Sequence, residues 1–85
     1  MRRDSKDIDA AILRIAETRV KKTQIVYQAN LNFKIVKRYL ARLIDDQGYL
    51  EQEDDLFQTT TRGKEFLLRY DALTSLDIPQ PLLSV

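Results

Sequence analysis

The chain has 85 residues, 44% apolar and 32% charged, with two glycines, two prolines, no cysteine and no histidine. That composition fills one small core and not two, and it excludes a disulfide framework, thiolate metal sites and histidine-based catalysis. The formal charge of +1 hides a split, because residues 1–50 carry eleven Lys and Arg against six Asp and Glu (+5) while residues 51–85 carry three against seven (−4). A basic face can therefore coexist with an acidic remainder. No apolar run reaches the ~20 residues of a membrane span, and the first residues lack a signal peptide's apolar stretch, so a cytoplasmic protein without a membrane partner is expected.

Asp4 and Ser5 are helix-capping types, and Ile8, Ile12, Ile15 and Ala16 then recur at helical spacing, which predicts a first helix over 6–18. The stretch 18–22 is basic and non-periodic. Thr23 is placed to cap a short second helix over 23–29, whose apolar residues are Ile25, Val26 and Ala29. Asn30-Leu31-Asn32 breaks it, and Asn32 can cap the next helix. There Phe33, Val36, Leu40, Leu43 and Ile44 form an inward stripe, with Lys34, Lys37, Arg38 and Asp45 elsewhere on the wheel, and Gly48 ends the helix.

Two β-compatible stretches follow, 49–52 and 56–59, separated by Glu53-Asp54-Asp55, which makes a hairpin. Thr60 or Thr61 caps a fourth helix, with Phe66, Leu67, Tyr70 and Leu73 as its stripe, ending near residue 73 ahead of Pro79 and Pro81. The expected organisation is one domain over 1–73, including the C-terminal helix, and an apolar, proline-containing tail over 74–85.

Helix, helix, helix, hairpin, helix is the order of a winged helix-turn-helix, mainly α with a small β-hairpin. The block Lys22-Thr23-Gln24-Ile25-Val26-Tyr27-Gln28-Ala29-Asn30-Leu31-Asn32-Phe33-Lys34-Ile35-Val36-Lys37-Arg38-Tyr39-Leu40, the Gly48-Tyr49-Leu50-Glu51 after it and the Thr60-Thr61-Arg62-Gly63-Lys64-Glu65-Phe66-Leu67 opening the last helix carry a resemblance. Over about residues 6–73 the chain resembles the archaeal winged helix-turn-helix DNA-binding proteins, small transcription-regulator-like or chromatin-associated domains. The resemblance implies a winged-helix fold, duplex DNA as ligand, and homodimerisation through the last helix.

The residues support the DNA reading independently. With the apolar stripe turned inward, Asn32, Lys34, Lys37 and Arg38 face outward on a recognition helix over about 32–47, with Ile35, Ala41 and Arg42 at the margins of that arc. Lys and Arg can donate to guanine edges or phosphates, and Asn32 can pair with adenine or a phosphate. Lys21, Lys22, Thr23, Gln24 and Tyr27 lie where such domains meet the DNA backbone. Arg2, Arg3 and Lys6 could add a basic arm. Phe66, Leu67, Tyr70 and Leu73 exceed what a short terminal helix needs to cover a small core, so such residues either fold back over the core or bury against another subunit; the resemblance implies the second, with these four as the dimer contacts.

The hairpin departs from the family pattern, since Glu51, Glu53, Asp54 and Asp55 stand where wings usually carry Lys, Arg or Gly. Such a wing closes the sheet or faces a protein partner instead of gripping phosphate. These acids lack the spacing and glycine of a calcium loop. No metal, cofactor or enzymatic activity is expected, for want of a phosphate-binding Gly-rich loop or a nucleophile–base pair. Two other readings stay open. One is a protein-interaction module that binds little DNA and uses the acidic wing or apolar tail; the other is a sequence-blind, chromatin-type DNA binder.

Overall fold

The computed structural model describes residues 5–77, with side chains to 74; the arm at Arg2 and Arg3 and the tail from Ile78, including Pro79 and Pro81, lie outside the described residues. Helix α1 spans Ser5–Ile15 and buries Asp9, Ala10, Ile12 and Leu13. It stops three residues short of the expected end, where strand residue Thr59 meets it: the Oγ1 donates to Leu13 O at 2.6 Å and the backbone N–H to the carbonyl of Ala16, just past the helix, at 2.8 Å. Satisfied from outside, those acceptors no longer require further helix.

Strand β1, Val20–Lys21, lies in the stretch that shows no periodicity. It pairs antiparallel with β3, Val20 opposite Phe57 and Lys21 opposite Leu56. Two residues are too few to show an alternation, so only the partner strand reveals it. The chain passes directly from β1 into α2, Lys22–Ala29, so Lys21 holds the N-cap position in extended geometry with no side-chain cap. Thr23 therefore does not cap; it sits inside the first turn, exposed. Asn30 closes α2 in the left-handed region at φ 57°, and Leu31 N–H returns to Val26 O at 3.1 Å.

Helix α3 spans Phe33–Ala41, and Asn32 caps it, its Oδ1 accepting from Ile35 N–H at 2.8 Å. The chain then widens into a π-helical turn over Arg42–Gln47 before Gly48 ends it at φ 69°. Val36, Leu40 and Leu43 point inward as expected. Phe33 does not: as the first residue of the helix it projects past the core and is 54% exposed, while Leu31 packs against the core cluster from the turn.

Strands β2, Leu50–Glu53, and β3, Leu56–Thr59, form the hairpin, in a sheet of order β1-β3-β2. Glu53 pairs with Leu56, leaving a loop of Asp54 and Asp55 in which Asp54 adopts φ 58°. Helix α4, Thr61–Asp77, runs four residues beyond the expected end. Thr60 caps it, accepting from Gly63 N–H at 3.1 Å while donating to Gly48 O at 2.7 Å. Gly63 is packed so closely that a Cβ there would strike the Tyr49 carbonyl. No helix among the described residues is long and apolar enough to cross a membrane.

Ile12, Leu13, Ile25, Val36, Leu43 and Leu50 are the largest fully buried side chains, joined in the core by Phe57 and Leu67. Tyr49, Phe66 and Tyr70 stack in series at 5.0 and 6.1 Å between ring centroids. Polar contacts fix α1 to its neighbours: Tyr70 donates to Asp7, and Arg14 donates through both terminal nitrogens to Asp71. Buried Asp9 accepts from Arg42 at 2.8 Å, and Arg42 also lies 5.0 Å from the centroid of the Tyr39 ring.

Two consequences can be measured. Thr59→Val keeps the side-chain shape but leaves the Leu13 carbonyl without its donor, and should lower the unfolding free energy by about 1–3 kcal/mol in urea titration; unchanged stability would refute the bond's importance. The Arg14 hydrogen bonds hold the Asp71 carboxyl below its usual range, and the same bonds raise Arg14. A lowered carboxylate pKa stabilises the fold above the ordinary value, and that contribution disappears as pH falls through the lowered one. Asp71→Asn should therefore lower Tm at neutral pH, less so at high salt, and flatten the loss of Tm below about pH 4. An acid limb identical to that of the native protein would disprove this.

Candidate nucleic-acid interface

Helices α2 and α3, joined by Asn30-Leu31-Asn32, form the helix-turn-helix. Two anchors orient α3: its inner face buries Val36 and Leu40, and the following π-helical turn is tied to α1 by Arg42 and Asp9. What remains outward is Lys34, Lys37, Arg38 and Ala41, with the apolar Phe33 and Ile35, all exposed. Among the described residues Lys34, Lys37 and Arg38 form no ion pair. Arg42, expected at the margin of this arc, is occupied by Asp9.

Asn32 is exposed at the start of α3, but its amide oxygen is committed to the cap. Only the amide NH2 remains for a ligand, so the two-point pairing of a free Asn with adenine would cost the cap. Lys22 and Lys37 are brought together along a groove of about 320 Å³ between α3 and the sheet, which Gln52 and Phe57 also line. Thr23 and Tyr27 lie on a separate hollow of about 330 Å³ with Val26, Asn30, Leu31 and Phe33. Gln24 is exposed on the first turn of α2. With no side-chain cap there, the first N–H groups of α2 keep their donor capacity.

Lys21 has a partner: its Nζ lies 3.9 Å from Asp55, and Arg19 lies 3.8 Å from Glu53. The acidic wing thus faces the basic strand β1. Both pairs are exposed, so each is weak and screened by salt. Neither pairing is visible without the register that places β1 beside β3.

The four residues expected on α4 as dimer contacts separate. Leu67 is buried in the chain's own core, Phe66 and Tyr70 are half-buried in the aromatic series, and Leu73 is 62% exposed. Leu68, off the expected stripe, is 72% exposed. Two features escaped the periodicity: the outward Phe33, whose position next to the cap was the available signal, and the Asp9–Arg42 pair, which leaves no trace in spacing.

No curated protein matches this chain. The solved structure of Sso10a-2, a DNA-binding protein from Sulfolobus solfataricus, is similar at a TM-score of 0.77 and 25% sequence identity, over 88% of this chain and 82% of that one. The sequence pattern of the winged helix-turn-helix family matches residues 2–77. With that match, and with the helix-turn-helix, three-stranded sheet and capped last helix in place, the chain belongs to the winged helix-turn-helix family.

Proposed function

We propose that the protein binds duplex DNA as a homodimer and acts as a transcriptional regulator, laying about residues 32–47 in the major groove. One observation carries this reading: Lys34, Lys37 and Arg38 stand exposed and without an ion pair among the described residues, on the outer face of the second helix of a helix-turn-helix. Cations held this way can donate to guanine edges or to phosphate oxygens. The Asn32 amide NH2 adds one donor. Lys22, Thr23, Gln24 and Tyr27, with the uncapped N–H groups of α2, suit backbone phosphates, which position the protein without reading sequence. Lys21 contributes only by giving up Asp55. The neighbour from Sulfolobus solfataricus, itself a DNA-binding protein, supports the same reading.

For the dimer, α4 offers Leu68, Ala72 and Leu73 on its exposed side, so Leu73 is retained as a contact and Leu68 is added. Leu67 already spends its surface inside the protomer, and Phe66 and Tyr70 do so in part. Twofold pairing there would set two recognition helices at the spacing of successive major-groove turns, about 34 Å. A sequence-blind binder would use the same basic face. The two uses part in competition between one defined duplex and random duplex.

Duplex affinity should fall steeply as salt rises, because several neutralised phosphates release counterions. Lys34→Ala and Arg38→Ala should each weaken binding: a base-reading residue costs about 1–3 kcal/mol and relaxes specificity, whereas a phosphate contact reduces the salt slope by about one. Binding indifferent to salt, or none at low salt, favours the protein-interaction reading instead. Leu68→Glu with Leu73→Glu should convert the dimer to monomer in size-exclusion chromatography while the circular dichroism spectrum is kept. An unchanged elution volume would remove α4 as the contact.

A further inference from the structure

Resting on the DNA-binding reading above, we infer that Phe33 reads thymine, its ring meeting the C5-methyl group of the base in the major groove. Phe33 is the first residue of α3 and 54% exposed, directly after the Asn32 cap. The Cα–Cβ bond of a helical residue tilts toward the N-terminus, so this ring projects ahead of the helix, where a recognition helix meets base edges. It borders the hollow that Tyr27, itself 85% exposed, lines from α2. An apolar surface at the leading end of the helix is thus open on the side the DNA approaches.

Charge selects the occupant. Lys34 follows Phe33 in sequence and Lys37 lies one helical turn on, both exposed and without an ion pair among the described residues. This cationic border repels a second copy of the same surface and attracts a polyanion. Within a duplex, the thymine methyl is the apolar group on the base edges of the major groove, so it is the feature a phenyl ring there can distinguish. Cytosine, adenine and guanine carry no methyl group there, so they give the ring no such apolar partner. A T-bearing step at the position of Phe33 is therefore preferred, independently of the hydrogen bonds made by Lys34, Lys37 and Arg38.

The test removes only the methyl group. Two alternating duplexes of equal length, d(AT) and d(AU), compete for the full-length protein at low salt. The native protein should favour the thymine duplex about fourfold for each methyl contacted, the value of one buried methylene-sized group. Phe33→Ala should bind both duplexes equally, while Phe33→Leu, which stays apolar, should keep a thymine preference. Lys34→Ala should weaken both to the same extent and leave their ratio intact. Equal binding by the native protein, or a thymine preference that survives in Phe33→Ala, overturns the assignment of Phe33 alone. Absence of binding to both duplexes overturns the DNA-binding reading, and the assignment with it.

Discussion

The fold turns on two adjacent threonines. Thr59 ends β3 and supplies two donors at the C-terminal end of α1, to Leu13 O and to Ala16 O just past it. Thr60 takes the next step: its N–H reaches Tyr49 O at 2.9 Å, its hydroxyl donates to Gly48 O, and the same hydroxyl accepts from Gly63 to start α4. Four elements thus meet at one junction: the end of α1, the exit from the π-helical turn, the edge of the hairpin and the first turn of α4. Buried carbonyls and N–H groups must be satisfied somewhere. Here neighbouring side-chain hydroxyls and amides satisfy them together, so α3 is held in place from its C-terminal end as well as by its apolar face. Gly63 shows how tight the junction is, since no side chain fits between α4 and the Tyr49 carbonyl.

Charge is divided with the same economy. Among the described residues, three ion pairs join the basic first part of the chain to the acidic second part: Arg14 with Asp71, Arg19 with Glu53 and Lys21 with Asp55. A fourth, Arg42 with Asp9, fastens the π-helical turn to α1. The acids that give the wing its unusual sign therefore lie against strand β1. The cations of α3 lie beyond their reach, and a protein with a net charge of +1 still presents a concentrated positive face there. The apolar surface is similarly partitioned. Tyr27, Phe33 and Ile35 are exposed at the helix-turn-helix, and Leu68 and Leu73 on α4, with the core closed between them.

Much of the fold is legible in the residues themselves. The stripe Val36, Leu40 and Leu43, the cap at Asn32, the glycine stop at 48 and the hairpin around Asp54 and Asp55 are local signals, carried by periodicity or by the conformational preference of one residue. What escapes is what depends on a distant partner. The early end of α1 depends on Thr59, and β1 exists because β3 lies beside it. Thr23 loses its capping role because that strand runs directly into α2. The candidate site divides the same way. Lys34, Lys37 and Arg38 follow from the wheel alone, whereas the occupation of Arg42 by Asp9 and of Lys21 by Asp55 does not.

The sequence alone therefore determined the number and order of the helices, the hairpin, the basic outer face of α3 and the division of charge between the two parts of the chain, since propensity, periodicity and composition act between near neighbours. The tertiary structure decided which cations remain available, which apolar residues of α4 are left uncovered, and that Phe33 faces outward. Each of these depends on groups far apart in the chain, such as residues 9 and 42, 14 and 71, or 21 and 55, being brought within a few ångströms. No spacing along the chain encodes that proximity; only the packing of the core creates it.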